Sequence, residues 1–375
     1  MKHKAGSKKR TPEEIKAILL AEKEKEQELK KQKTIKEQKN KLLSYFNQDN
    51  EFCLHLLTHY YPATDSFIKK NFTNPVPFSV NSYMQWTETM LMKYKEQWDW
   101  ALLSKNPSLP WSEKLIEKYE EEWDWDLLST NTGFPWTAEF IKKYQDRWDW
   151  EALSDNPSLP WSVDLINRYK EEWDWHNLSG NKGLPWSEEL IDKYLKHWHW
   201  MELGLSGNEN LPWSQKFIEK YLDKWFWTDL CANAGIPWTE EWLNTYKNYW
   251  EEEEESLFWL VSPHPTIFQW SKDLLKAHRY EWHWGDDARP GLSSNRGLPW
   301  SEDLIRLFEE DWDWGNGLSD NPDLPWSFDF YLKYEKKWDK DVILNNYAFW
   351  EKAVLPYFDE ELINDFFYYL SAKAK

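Results

Sequence analysis

Cysteine is nearly absent: Cys53 and Cys231 are the only two in 375 residues, too few for a disulfide framework. Glycine is scarce as well, with 12 residues, and no G-x-G-x-x-G or Walker A loop opens a helix. G-x-S-x-G and H-E-x-x-H are also missing. His197 and His199 are two apart and His278 and His283 five apart, which is not the i, i+4 spacing of a helical zinc pair. No apolar run approaches the ~18 residues of a membrane span. The N-terminus, MKHKAGSKKRTPEE, has no apolar core, so neither a signal peptide nor a membrane span is expected. The reading is a cytoplasmic, non-enzymatic chain that needs no cofactor and no metal.

Charge is unevenly distributed. Residues 1–43 hold 14 Lys/Arg against 7 Glu, whereas the whole chain is at −19 and the rest therefore at −26. Such a body repels nucleic acid, and only the basic arm is suited to touch it. An acidic body also suits a basic protein partner.

Tryptophan, by contrast, is abundant. Ten Trp outside the W-x-W pairs precede Ser or Thr, at 86, 111, 136, 161, 186, 213, 238, 270, 300 and 326, the first five spaced by 25 residues. Eight W-x-W pairs supply sixteen more of the 31 tryptophans, so the Trp content belongs to a repeat. The consensus is (L/I/F)-P-W-(S/T)-x-x-(L/F)-I-x-K-Y-x-x-x-W-D-W-x-x-L-S-x-N. A period of this length signals stacked supersecondary units. The fold expected is an all-α solenoid of about ten ~25-residue helix pairs.

In the repeat at 109–134, Ser112 is placed to cap a first helix, with Trp111 and Ile116 at staple spacing. Leu115, Ile116, Tyr119 and Trp123 share a face, which predicts a helix of roughly 10–12 residues. Asp124 is positioned to cap a shorter second helix through Ser129. Asn131 follows, where Asn tolerates the left-handed conformation that ends helices. The tryptophans read as core rather than as ligand platforms.

The W-D-W-x-x-L-S-x-N-P-x-(L/I)-P-W pattern over residues 86–338 resembles tryptophan-rich tandem-repeat proteins of bacteria and giant viruses. That resemblance implies a repeat fold and carries no activity. Around it, residues 1–46 read as a charged, mostly helical arm starting at Thr11-Pro12-Glu13-Glu14, without a heptad register over three turns. Residues 47–85 read as an N-terminal cap. Residues 339–375 read as C-terminal cap helices, the last capped by Asp359. Terminal caps are what an open solenoid requires.

Candidate partner-binding residues come from irregularities in the frame. The two positions after each W-x-W vary, notably His176-Asn177, Met201-Glu202 and Thr228-Asp229. The seventh and eighth units are lengthened, around Glu251, Glu252, Glu253 and His264 and around Asp286, Asp287 and Arg289. Insertions in repeats map to loops and often to a binding face. The expected function is a protein-binding scaffold with an acidic recognition surface. Two alternatives stand beside it: an inhibitor or immunity-type protein that occludes a basic toxin or nuclease, and an aromatic-lined receptor for carbohydrate or a small ligand.

Overall fold

The computed structural model describes residues 11–201, 204–251, 258, 261–286 and 291–373. Every regular element among them is helical. A long helix α1 (Pro12–Gln48) and the helices α2 (Asn50–Tyr60) and α3 (Asp65–Asn71) precede the repeats. The first repeats supply α4 (Glu88–Lys93), α5 (Trp100–Lys105), α6 (Glu113–Lys118) and α7 (Trp125–Ser129), and the alternation continues along the chain.

Both expected caps form. The Ser112 hydroxyl accepts from the Leu115 N–H, and the Asp124 carboxylate accepts from the Leu127 N–H. The first helix is shorter than its apolar face suggested, six residues rather than 10–12. Tyr119 leaves helical geometry at φ −121°, ψ 29°, and a turn of residues carries the chain to Trp123. This turn lets the Trp123 indole donate back to the Ile116 carbonyl, a bond a continued helix would not offer.

The Asn of the L-S-x-N step is extended, not left-handed, at Asn106 (φ −73°, ψ 115°), Asn156 (φ −73°, ψ 110°) and Asn181 (φ −65°, ψ 119°). Its role is tertiary. The Asn156 amide donates to the Ser129 carbonyl at 2.9 Å and to the Asn131 carbonyl at 3.1 Å, both in the repeat before. Its Oδ1 accepts from the Ser158 N–H, and its backbone carbonyl accepts the Trp161 indole N–H. The preceding Ser of the step works the other way. Ser129 Oγ donates to the Trp125 carbonyl and accepts from the Asp149 N–H of the next repeat. The amide bond to the Ser carbonyl of the repeat before recurs at Asn106, Asn131, Asn181, Asn208, Asn233, Asn295, Asn321 and Asn346, so a buried polar ladder threads the array. Buried amides with their bonds made contribute modestly; left unmade they are costly.

Aromatic packing fills the space around the ladder. Trp100 meets Tyr119 and Trp123 of the following repeat at ring separations of 5.0 and 4.8 Å, and Trp111 packs on Trp123 at 5.0 Å. Trp111, Trp123 and Trp125 each donate the indole N–H to a backbone carbonyl. Indole is favoured over phenyl here because it fills the volume and also satisfies a carbonyl the turn leaves open.

The two ends of the array meet. Phe78-Ser79-Val80-Asn81, inside the segment expected to be a non-repetitive cap, already forms a rung: Asn106 donates to the Ser79 and Asn81 carbonyls. At the other end Asn346 is the last rung, bonded to the Ser319 carbonyl. Between them lies α2. The Tyr60 hydroxyl donates to the Leu344 carbonyl, the place an Asn would take, and the Asn81 amide donates to the Tyr61 carbonyl. Tyr83 stacks on Tyr347 with ring centres 5.3 Å apart. Burial first, then this neighbour, pushes the Tyr83 phenol up to about 12. Phe46 and Phe52 pack with Phe366 and Phe349, and Lys340 pairs with Asp49. The terminal segments therefore do not shield two separate ends; they join them into a closed array.

Candidate functional site

Successive second helices pack directly on one another, as α5 on α7 and α7 on the helix Trp150–Asp155, while successive first helices do not approach as closely. In a curved array the closer-spaced layer lies on the inside. The second helices thus form the inner layer and the first helices the outer one.

Ion pairs between repeats form on the outer layer, where Glu113, Glu139, Asp164 and Glu189 also stand exposed without one among the described residues. On the outer layer Lys118 pairs with Glu88, Lys143 with Glu117, Arg147 with Glu120, Lys220 with Asp192 and Lys333 with Glu302, each across a repeat boundary. Exposed pairs of this kind stabilise weakly. The Lys of the K-Y step also lies over its Tyr ring, as Lys143 over Tyr144 at 5.0 Å. On the inner layer the exposed carboxylates of Asp126, Glu151 and Asp155 form no ion pair among the described residues.

The sequence-derived candidates separate on this frame. His176 and Met201 are exposed, Met201 by 50%, and they continue the row begun by Asp126 and Glu151, one residue per rung. The His176 ring lies 4.4 Å from that of His199. Asn177 is half-buried and its amide reaches the Glu151 carbonyl, so part of its capacity is used between rungs. Thr228 and Asp229 are half-buried on the next rungs of the same layer. Asp286 is exposed, 3.9 Å from the His283 imidazole. Glu202, Glu252, Glu253, Asp287 and Arg289 lie outside the described residues, and of Glu251 only the backbone is described.

His264 has to be reassigned. It is 1% exposed and occupies the Asn position of the ladder, in Ser262-Pro263-His264. Its Nδ1 accepts from the Thr266 N–H, its carbonyl accepts from Asn295, and its ring lies by the carbonyls of Asn233 and Ile236. A His replaces Asn here because a neutral imidazole also offers one donor and one acceptor. The signal was available in the chain: V-S-P-H aligns with L-S-x-N.

Burial holds the His264 imidazole below its usual range, and it lowers His59 as well. His55, stacked on His59 at 3.6 Å on α2, is pushed down to about 4, by burial first and then by the His59 charge. Asp341 opposes this shift at His55, and Glu209 opposes it at His264. In the unfolded chain these groups titrate near ~6.5. Between that pH and about 4 the unfolded chain binds more protons, so stability is full above ~6.5 and is lost as pH falls through the window. Urea midpoints between pH 7 and 5 should fall for the wild type. His264→Asn should fall less steeply; an unchanged slope would assign the acid loss to other groups.

The fold and the inner row define a class: a closed array of helical pairs whose frame is constant and whose inner surface varies. Compared with family models, with curated proteins and with solved structures, the chain matches none of them.

Proposed function

We propose that this chain is a non-enzymatic, protein-binding repeat scaffold whose inner layer recognises a basic protein surface. One observation carries the reading. The residues that change from repeat to repeat, Asp126, Glu151, His176 and Met201, stand exposed in one row on a layer held by an unchanging buried ladder. Unpaired carboxylates on this layer, in a body at −26, favour steered encounter with a cationic partner. The aromatic-receptor alternative has less behind it, because the repeat tryptophans pack on each other and spend their N–H groups on backbone carbonyls.

The test is a comparison of wild type with Asp126→Lys/Glu151→Lys as bait in native-host lysate at low and high salt. Both changes are at exposed positions, so the fold should hold within about 0.5 kcal/mol. A basic protein retained by wild type at low salt, released at high salt and not retained by the variant supports the proposal. Equal retention by both baits, or no basic protein on wild type, removes it.

A further inference from the structure

Helix α1 is docked at one end only. Leu42 and Phe46 are fully buried against the C-terminal helix Glu360–Lys373, and Lys39 pairs there with Asp359 and Glu361. Toward the N-terminus the contacts stop: residues 19–34 are exposed without a break, with Leu19 at 60% and Leu29 at 67%. The exposed stretch, residues 19–34, runs for about 24 Å at 1.5 Å per residue. A helix polar all round and without a supporting surface needs many i,i+4 pairs or a partner. Only Glu26–Lys30 and Lys33–Glu37 supply such pairs among the described residues.

The charge of α1 is divided along its length. Residues 12–28 hold six Glu and three Lys, and residues 29–41 hold six Lys and one Glu. Over the undocked part, a second α1 running antiparallel sets residues 13–18, with two Glu and one Lys, against residues 29–34, with three Lys; a parallel one sets each stretch against its own like. We propose that the undocked part of α1 is a self-association surface that pairs antiparallel with α1 of a second copy of this chain.

One register matches an apolar pair and an opposite-charge pair along a single helix face, at 18, 22, 25 and 29. With its centre between Lys23 and Glu24, it places Ile18 opposite Leu29 twice and Glu22 opposite Lys25 twice. In that register the overlap ends at Ile35, opposite Pro12, where docking onto the body begins, so the two bodies sit at opposite ends of the pair. Charged residues at seam positions specify orientation and cost stability. The pair is therefore a weak, salt-sensitive one, and it rests on α1 alone, independently of the inner-layer reading.

Sedimentation velocity of the full chain from about 1 to 100 µM, the range in which weak specific pairs form, reads the association. Wild type is expected to shift from monomer toward dimer across this range and to shift less at high salt. Glu22→Lys, which sets Lys against Lys25 at both contacts, should weaken association roughly tenfold or more. Glu22→Lys/Lys25→Glu should restore it, because both copies carry the exchanged pair. Near-ultraviolet circular dichroism of the Trp-rich body should be the same in all three. A wild type that stays monomeric at about 100 µM overturns the proposal. So does a dimer that Glu22→Lys leaves intact, or one that the exchange fails to rescue. Monomers that instead adsorb through α1 to anionic vesicles also overturn it and assign the helix to a lipid surface.

Discussion

Asn156→Ala should destabilise the array by about 3–5 kcal/mol, a large share of the net stability of any domain. The side chain is 3% exposed and small, so the loss is not one of packing. It comes from stranding the Ser129 carbonyl and the Ser158 N–H and removing one of the two bonds on the Asn131 carbonyl. Each stranded buried group costs about 1–3 kcal/mol. Asn156→Asp sharpens the test, since the shapes are nearly equal. A carboxylate has no N–H to offer and would face two carbonyls, so at pH 7 it should be worse than Ala. Protonation supplies a donor, so the Asp variant should recover relative to wild type as pH falls. Urea denaturation at pH 7 and 5 measures both effects. An Asp variant as stable as wild type at pH 7 would show that the ladder does not hold the frame.

Removing residues 1–61 should cost more still. That segment buries Leu42, Phe46, Phe52, Leu56 and Leu57 completely. At about 2 kcal/mol per buried side chain this is roughly 10 kcal/mol, within the range of a domain's entire stability. The deletion also takes away the Tyr60 hydroxyl from Leu344 and the Tyr61 carbonyl from Asn81. It leaves Phe328, Phe349 and Phe366 facing water. Hydrogen exchange should then become fast across residues 319–366, ahead of the central repeats, because an opened array has ends that fray. Removing residues 1–34 should leave exchange of the body unchanged and stability within about 0.5 kcal/mol, since residues 19–34 are exposed throughout. Equal protection of residues 319–366 in the full chain and in the longer deletion would mean that the closure is not structural.

Local order was legible in the chain because it is set by neighbours in sequence. Ser112 and Asp124 cap the helices they precede, and Asp359 caps the C-terminal helix by accepting from Leu362. Helix length was misread because Leu115, Ile116, Tyr119 and Trp123 keep a helical spacing through a turn that is no longer helix. Capping signals mark starts; nothing comparable marks the stop at Tyr119, whose geometry serves the Trp123 bond. The inner row was partly legible: the variable positions after W-x-W were visible, but which of them face outward was not. His264 and Asn131 were misplaced for one reason. From the chain alone Asn131 reads as a helix terminator and His264 as a loop contact, until a second repeat supplies the carbonyls that bury them.

By itself the sequence determined the repeat, its helical pairs, the aromatic core and the imbalance of charge, since each follows from local spacing and composition. Tertiary structure alone decided that the Ser and Asn steps join into one ladder, that second helices lie inside, and that α2 bridges first rung to last. Those facts depend on how much each unit turns relative to the one before it. That small angle follows from the aromatic packing across each boundary, Trp against Trp at most of those described, and summed over the array it determines whether the ends meet.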